Sequence, residues 1–293
     1  MERLREGTLR TEPLSAALPE RTRLRLGLPP GLRRAAGSLL LLPAAVFVLF
    51  VAVPLGALVY RAAVSGQLLL SLRQPALRDA VRLSLSTSLL TVALVALFGT
   101  PLAYALARLP FPGRRLVDTL IDLPMVLPPV VAGVALLMAF GRRGVFGPAL
   151  QGAGIDVAFT AKVVVAAQIF VSSPFYIRAA RVGFQAVDET LEQAAAIDGA
   201  GRLGAFWHVL LPLAWPAVLS GLVLCWARAL SEFGATMLFA GNLRGTTQTM
   251  SLAIMTAMES NLYTALAMAV LLLAVATVTL FVFRALAGDG ARL

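Results

Sequence analysis

Glu189-Thr-Leu-Glu192-Gln-Ala-Ala-Ala-Ile-Asp-Gly199-Ala-Gly-Arg-Leu-Gly-Ala-Phe-Trp-His-Val-Leu-Leu-Pro212 is the longest amphipathic stretch of a chain that is otherwise mostly apolar. Asp188, Glu189 and Glu192 stand near the start of a short helix, where the helix macrodipole favours negative charge. Ala194, Ala195 and Ala196 give that helix a thin surface that another protein can approach closely. Gly199 supplies a break, or the positive φ that reverses the chain. A second segment carries Phe206, Trp207 and Leu210 on an apolar face, and Pro212 marks entry into the next apolar run. Periodicity alone leaves two readings open. The stretch is a helix lying in the headgroup layer, or it is a docking element for another protein.

The remainder of the sequence narrows what could dock. Of 293 residues, 59% are hydrophobic and 14% charged, with mean hydropathy +0.84. That composition places the chain among polytopic membrane proteins. The net charge of +10 is almost entirely arginine, and Lys162 is the single lysine. The arginines sit between apolar runs, so they bear on topology and lipid headgroups rather than on nucleic acid. Cys225 and His208 are each alone in the chain, which excludes an intrachain disulfide and leaves no His or thiol metal centre. No Gly-x-x-x-x-Gly-Lys-[Ser/Thr], His-Glu-x-x-His, Gly-x-Ser-x-Gly or Cys-x-x-Cys is present. The chain therefore lacks the residues for ATP binding by a P-loop, and for the familiar hydrolase and redox chemistries. No cofactor is expected in it.

Six spans are expected in an all-α fold. Residues 1–37 are Arg-rich and read as a disordered cytoplasmic extension. The spans cover about Leu39–Tyr60, Leu83–Leu106, Leu116–Phe140, Ala161–Ile177, Val209–Ala240 and Leu262–Leu286, each long enough for a hydrocarbon core of about 30 Å. Gly99-Thr-Pro101 reads as a kink, and Pro124, Pro128 and Pro129 interrupt the third span. The fifth is too long for one straight span, so its first turns are placed at the interface. The amphipathic loop occupies Arg178–His208, and Gly241–Asn261 is a further loop, re-entrant in one reading, before the last span. The membrane domain as a whole is taken as 38–288, with the coupling loop at 184–212 and a tail at 289–293. Six spans put both termini on one side. The loops on that side hold the larger share of the arginines, so it is expected to be the cytoplasm. No inverted repeat of the kind found in many secondary transporters is visible.

A family resemblance adds to this reading. Ala194-Ala195-x-x-x-Gly199, followed after nine residues by Val209-x-Leu211-Pro212, resembles the EAA loop of permease subunits of bacterial ABC importers. The family's usual glutamate before the two alanines is Gln193 here, with Glu192 one place earlier. Asp122–Gly133, Phe140–Gly147, Arg228–Thr236 and Phe239–Asn242 are similar to the molybdate permease subunit, and the sulfate and tungstate permeases are close in type. The resemblance covers about residues 39–286. It implies that Glu192, Gln193, Ala194, Ala195, Gly199 and Pro212 belong to a coupling helix and its exit. It also implies a homodimer of permease subunits in the inner membrane, two cytoplasmic ATPase subunits that bind the ATP and Mg, and an extracytoplasmic oxyanion-binding protein. Transport by alternating access follows from the same resemblance.

Arg228 and Glu232 are four apart inside the fifth span, so they share a helix face and can pair. Charges at such a depth are expensive, and they serve either packing or function. With Ser231, Phe233, Gly234 and Pro128 they form a candidate translocation path or gate. Lys162 and Arg142-Arg143 are read as headgroup anchors or as attractors of an anion toward an outer vestibule. Two other classes stay open on the sequence: an ATP-independent anion channel or secondary transporter, and a membrane scaffold that moves no substrate.

Overall fold

The computed structural model describes residues 30–66, 74–154 and 159–287, and all the regular elements among them are helical. The chain divides into two compact units, 1–54 and 55–293. The first, so far as it is described, is the greater part of helix α1 (Pro30–Val64). Its stretch Leu41–Val64 has mean hydropathy 2.5 and carries Pro43 and Pro54 within the helix. The helix starts at Pro30, ahead of the expected Leu39. Residues 1–29 and 288–293, which hold most of the expected extension and all of the tail, lie outside the described residues.

The second unit is built around α6 (Ala161–Ala186), which packs against α2 (Pro75–Arg108) on one side and α9 (Leu211–Leu230) on another. Small residues let these helices approach. A Cβ on Gly183 would stand 2.5 Å from the Cβ of Ala217, and one on Gly221 would stand 2.8 Å from that of Ala179. Gly99, expected to help kink α2, is needed for the same reason: its missing Cβ would meet Tyr176 and Ile177 at 3.2 Å. The helix runs on through Pro101. Between lipid-soluble helices, close packing of this kind and interhelical hydrogen bonds take over the role that hydrophobic burial plays in water. Buried Thr91 accordingly donates to Gln168 Oε1 at 3.0 Å, and Thr100 shares a hydrogen bond with Tyr176 OH. Leu106, Tyr176, Phe184, Leu210 and Cys225 belong to the apolar core around these contacts.

Five helical stretches among the described residues are long and apolar enough to cross a membrane: Leu41–Val64, Pro75–Arg108, Ala161–Ala186, Arg202–Leu230 and Leu262–Val282. The expected third span is divided into α3 (Arg114–Val126, 13 residues) and α4 (Pro129–Phe140, 12 residues). The cause is local. A residue before proline avoids the helical region, and two such residues stand in succession. Leu127 (ψ 133°) and Pro128 (ψ 138°) are both extended, and α4 restarts with Pro129 in its first turn. The expected fourth span also changes. It continues to Ala186, so Arg178 and Arg181 are helical, where a loop was expected. They pair with Asp122 and Asp118 of α3.

The fifth span is divided as well. A short helix α8 (Arg202–Ala205) passes through a wider turn at Phe206–Leu210 into α9. Pro212 cannot donate to the carbonyl four residues back, and its ring crowds that carbonyl. The Leu211 N–H bonding to Phe206 O, five residues back, opens the helix there to a π-turn. Beyond α9, Ser231–Phe233 interrupts the helix before α10 (Gly234–Ala240). The expected loop Gly241–Asn261 is a turn followed by α11 (Met250–Ser260). Its first N–H bonds to Ser84 Oγ of α2 at 2.7 Å. Asn261 then caps α12 (Leu262–Ala287) by accepting from the N–H groups of Tyr263 and Thr264.

Candidate functional site

The amphipathic stretch forms a presented helix. Helix α7 (Glu189–Ile197) starts on Asp188, whose carboxylate accepts from Thr190 N–H at 2.9 Å. That backbone bond, and then the threonine side chain, hold the Asp188 carboxyl below the usual range. The helix ends in a Schellman motif. Gly199 N–H bonds to Ala196 O at 3.1 Å and Ala200 N–H to Ala195 O at 2.9 Å, with Gly199 at φ +88°. No residue of α7 is buried. Gln193, Ala194, Ala196 and Ile197 are exposed, Ala195 is half-buried, and Ile197 keeps 86% of its surface.

A second residue fixes this helix from behind, and the sequence reading did not single it out. Arg108 closes α2 with only 9% of its side chain exposed. Its Nε donates to Glu192 Oε1 at 2.8 Å, a second nitrogen donates to Val187 O at 2.7 Å, and a third lies 3.5 Å from Glu189 Oε1. Glu192 therefore ties the α7 loop to the end of α2, and Gln193 is the side chain left exposed. The signal in the sequence was a single arginine at the end of a span, next to Arg114 and Arg115, where topology alone explained it.

The apolar face of the following segment is split. Leu210 is fully buried and Phe206 packs edge-on to Tyr104 at 5.5 Å and to Phe184 at 5.9 Å, but Trp207 is 57% exposed. Trp207, Leu203 and Trp215 line an apolar cleft of about 900 Å³ between α2 and α9. His208 is exposed and its Nδ1 lies 3.0 Å from Gly204 O.

The second candidate region is the joint between α9 and α10. Arg228 and Glu232 pair at 2.7 Å, and the other Glu232 oxygen accepts from Ala235 N–H at 2.8 Å. Ser231 ends α9, Phe233 precedes α10, and Gly234 meets α4. A Cβ on Gly234 would stand 2.7 Å from the Cβ of Pro129. The interruption of the fifth span thus lies against the interruption of the third, and Pro128 sits in that second break. Gly133 brings the two short helices together further along, since its Cβ would meet Ala235 Cα at 3.0 Å. Helix α9, with 20 residues, separates this joint from the docking loop by about 30 Å. Lys162 and Arg143 are exposed and belong to neither group. Cys225 is buried against Ser172.

A bundle of long apolar helices with an exposed short helix displayed on the α7 loop is the architecture of a multi-pass membrane protein. Residues 99–289 match the family described as binding-protein-dependent transport system inner membrane components, and the chain belongs to that family. It is 40% identical over 251 residues to the molybdenum transport system permease protein ModB of Mycobacterium tuberculosis, covering 86% of this chain and 92% of that one. To the molybdate/tungstate transport system permease protein WtpB of Thermococcus kodakarensis it is 41% identical over 192 residues, 65% of this chain and 72% of the relative. Among solved structures it is similar to a chain of a bacterial ABC transporter involved in the import of the acidic polysaccharide alginate. The TM-score is 0.72 at 18% identity, over 89% of this chain and 97% of that one, a likeness of fold.

Proposed function

We propose that this chain is the translocation subunit of an ATP-driven importer of an oxyanion, molybdate in the first instance, working as a homodimer with two cytoplasmic ATPase subunits and an extracytoplasmic binding protein. The observation that carries the coupling half of this reading is helix α7. It buries no residue, displays Ile197 and Leu191, and is held in place by Arg108 and the Gly199 turn. Apolar side chains displayed on a rigid polar loop mark a protein interface. The oxyanion half is supported by the two permease relatives at 40% and 41% identity, whose names specify molybdenum and molybdate/tungstate.

In this reading α7 docks on the ATPase from the cytoplasmic side, where both termini also lie. Closure of the ATPase dimer on ATP carries the two α7 helices together. α8 and α9 pass that movement to the α9–α10 joint, where the path opens and closes. The chain converts motion and carries no covalent chemistry of its own; ATP and Mg belong to the partner subunit. The test is reconstitution of the three proteins in liposomes, with uptake of labelled molybdate followed as ATP is supplied. Uptake that requires the ATPase and the binding protein supports the reading. Molybdate flux through the permease alone supports a channel or secondary transporter instead.

A further inference from the structure

We propose that Arg228 is a relay site for the transported oxyanion and that Glu232 sets its affinity low enough for the anion to leave. The proposal rests on the reading of the chain as an oxyanion permease and adds a ligand-touching residue to it.

The location comes first. The break at Leu127–Pro128 separates α3, which carries Arg114, Arg115, Asp118 and Asp122, from the apolar α4. The α9–α10 joint lies against this break through Gly234 and Pro129. Non-helical backbone between apolar helices of a membrane domain is tolerated only where it is buried in protein or lines a watery cavity. Arg228 stands one turn before the joint, on the last turn of α9.

The two charges of the pair are not equivalent. Glu232 is 1% exposed; one oxygen accepts from Ala235 N–H, and the other stands 2.7 Å from Arg228 as an ion pair without hydrogen-bond geometry. The Arg228 side chain is 26% exposed, and among the described residues its guanidinium has no other acceptor. A guanidinium has five N–H donors in a planar fork. The buried carboxylate lies beside it without taking an N–H bond, which leaves the donors open. An open cationic edge facing hydrocarbon is costly, whereas such groups commonly face a bundle interior or a water-filled path. A fork of this kind matches a tetrahedral oxyanion, which accepts two parallel N–H bonds.

The carboxylate then has a reason to be there. An unneutralised arginine in a low-dielectric path would hold a doubly charged anion too tightly. Conduction requires binding strong enough to admit the ion and weak enough to release it. Glu232 makes the site neutral overall while leaving the hydrogen-bond donors in place. Its bond to Ala235 N–H fixes the carboxylate on α10, so the pair also spans the hinge between α9 and α10. Movement of that joint changes the distance between Arg228 and Glu232, and with it the hold on the anion.

A pair that serves packing alone makes a different prediction, because a neutral hydrogen-bonding replacement keeps the packing. The experiment uses the permease–ATPase complex, both for uptake in liposomes with the binding protein and for equilibrium binding of labelled molybdate without it. Glu232→Gln retains an acceptor for Ala235 N–H and removes the negative charge. Binding tightens on the order of tenfold, and ATP-driven uptake slows. Arg228→Met combined with Glu232→Gln is neutral throughout, and both binding and uptake fall at least about tenfold by the same reasoning. Normal uptake by the double variant, or unchanged binding in Glu232→Gln, overturns the proposal. If the double variant does not assemble with the ATPase, the binding result for Glu232→Gln alone decides. A wild-type complex that imports neither molybdate, tungstate nor sulfate overturns the underlying reading, and the relay with it.

Discussion

Three residues decide whether α7 can act as a rigid docking element. Gly199 is at φ +88°, and a Cβ there would meet nothing within 4 Å, so any cost of substitution is purely conformational. An L-residue in that region costs about 1–2 kcal/mol. Gly199→Ala is expected to lower ATP-driven uptake several-fold while the protein still inserts and purifies, whereas Gly204→Ala, which has a neighbour only at 3.6 Å, leaves uptake near wild type. Arg108 is the second. Arg108→Gln loses hydrogen bonds from a charged group to Glu192 and Val187, each of which contributes about 2 kcal/mol. Co-purification of the ATPase is expected to fall, and the charge exchange Arg108→Glu with Glu192→Arg to recover part of it; no recovery argues against the tether. Asp188 is the third. Its folded-state carboxyl is held below its ordinary value, so its contribution to α7 is present above the unfolded carboxylate range, about pH 4. It is lost only as the pH falls through the depressed value. ATPase association is therefore expected to be flat from pH 5 to 8 as far as this cap is concerned, and a loss centred near pH 6 would contradict it. At this scale the sequence was partly legible. The caps and the Gly199 turn are local chemistry and were visible in the order of residues. The Arg108 tether joins positions 84 apart and left no local trace.

At the level of elements, the broken spans were foreseen unevenly. Consecutive prolines at 128 and 129 marked the division of the third span, because the restriction on the residue before proline acts within two residues. The division of the fifth span at Ser231–Phe233 has no proline and no run of glycines to announce it. It is held by the local Glu232 bond to Ala235 N–H, three residues on, and by the tertiary contact with α4. The end of the fourth span was misplaced by nine residues, Ile177 for Ala186, because Arg178 and Arg181 looked like loop residues. Their charges are offset by Asp122 and Asp118 on a neighbouring helix, which no pattern within the fourth span could reveal. The crossings of α6 with α9 supply a test at this scale. Gly183→Leu would place atoms within 2.5 Å of Ala217 and force the helices apart. Overpacking of this kind costs about 2 kcal/mol. The variant is expected to aggregate at lower temperature in detergent, whereas Gly201→Ala, with open space around it, is expected to match wild type.

For the whole molecule, the run Arg202–Leu230, made of α8, the π-turn and α9, leads from the α7 loop to the Arg228–Glu232 joint. In the proposed coupling this run is the lever. The π-turn at Phe206–Leu210 lies where that lever leaves the docking loop, and Pro212 keeps it there. The central claim is that energy enters through α7. It is tested most directly by ATP-driven molybdate uptake in liposomes containing the complete complex, with Ala195→Trp compared to wild type. Ala195 lies on α7 beside the exposed Ala194 and Gln193. The account predicts that uptake falls to background in Ala195→Trp, with the permease still inserted and the ATPase no longer retained on it. Uptake at the wild-type rate in that variant, or uptake of equal size from permease without ATPase, would contradict it.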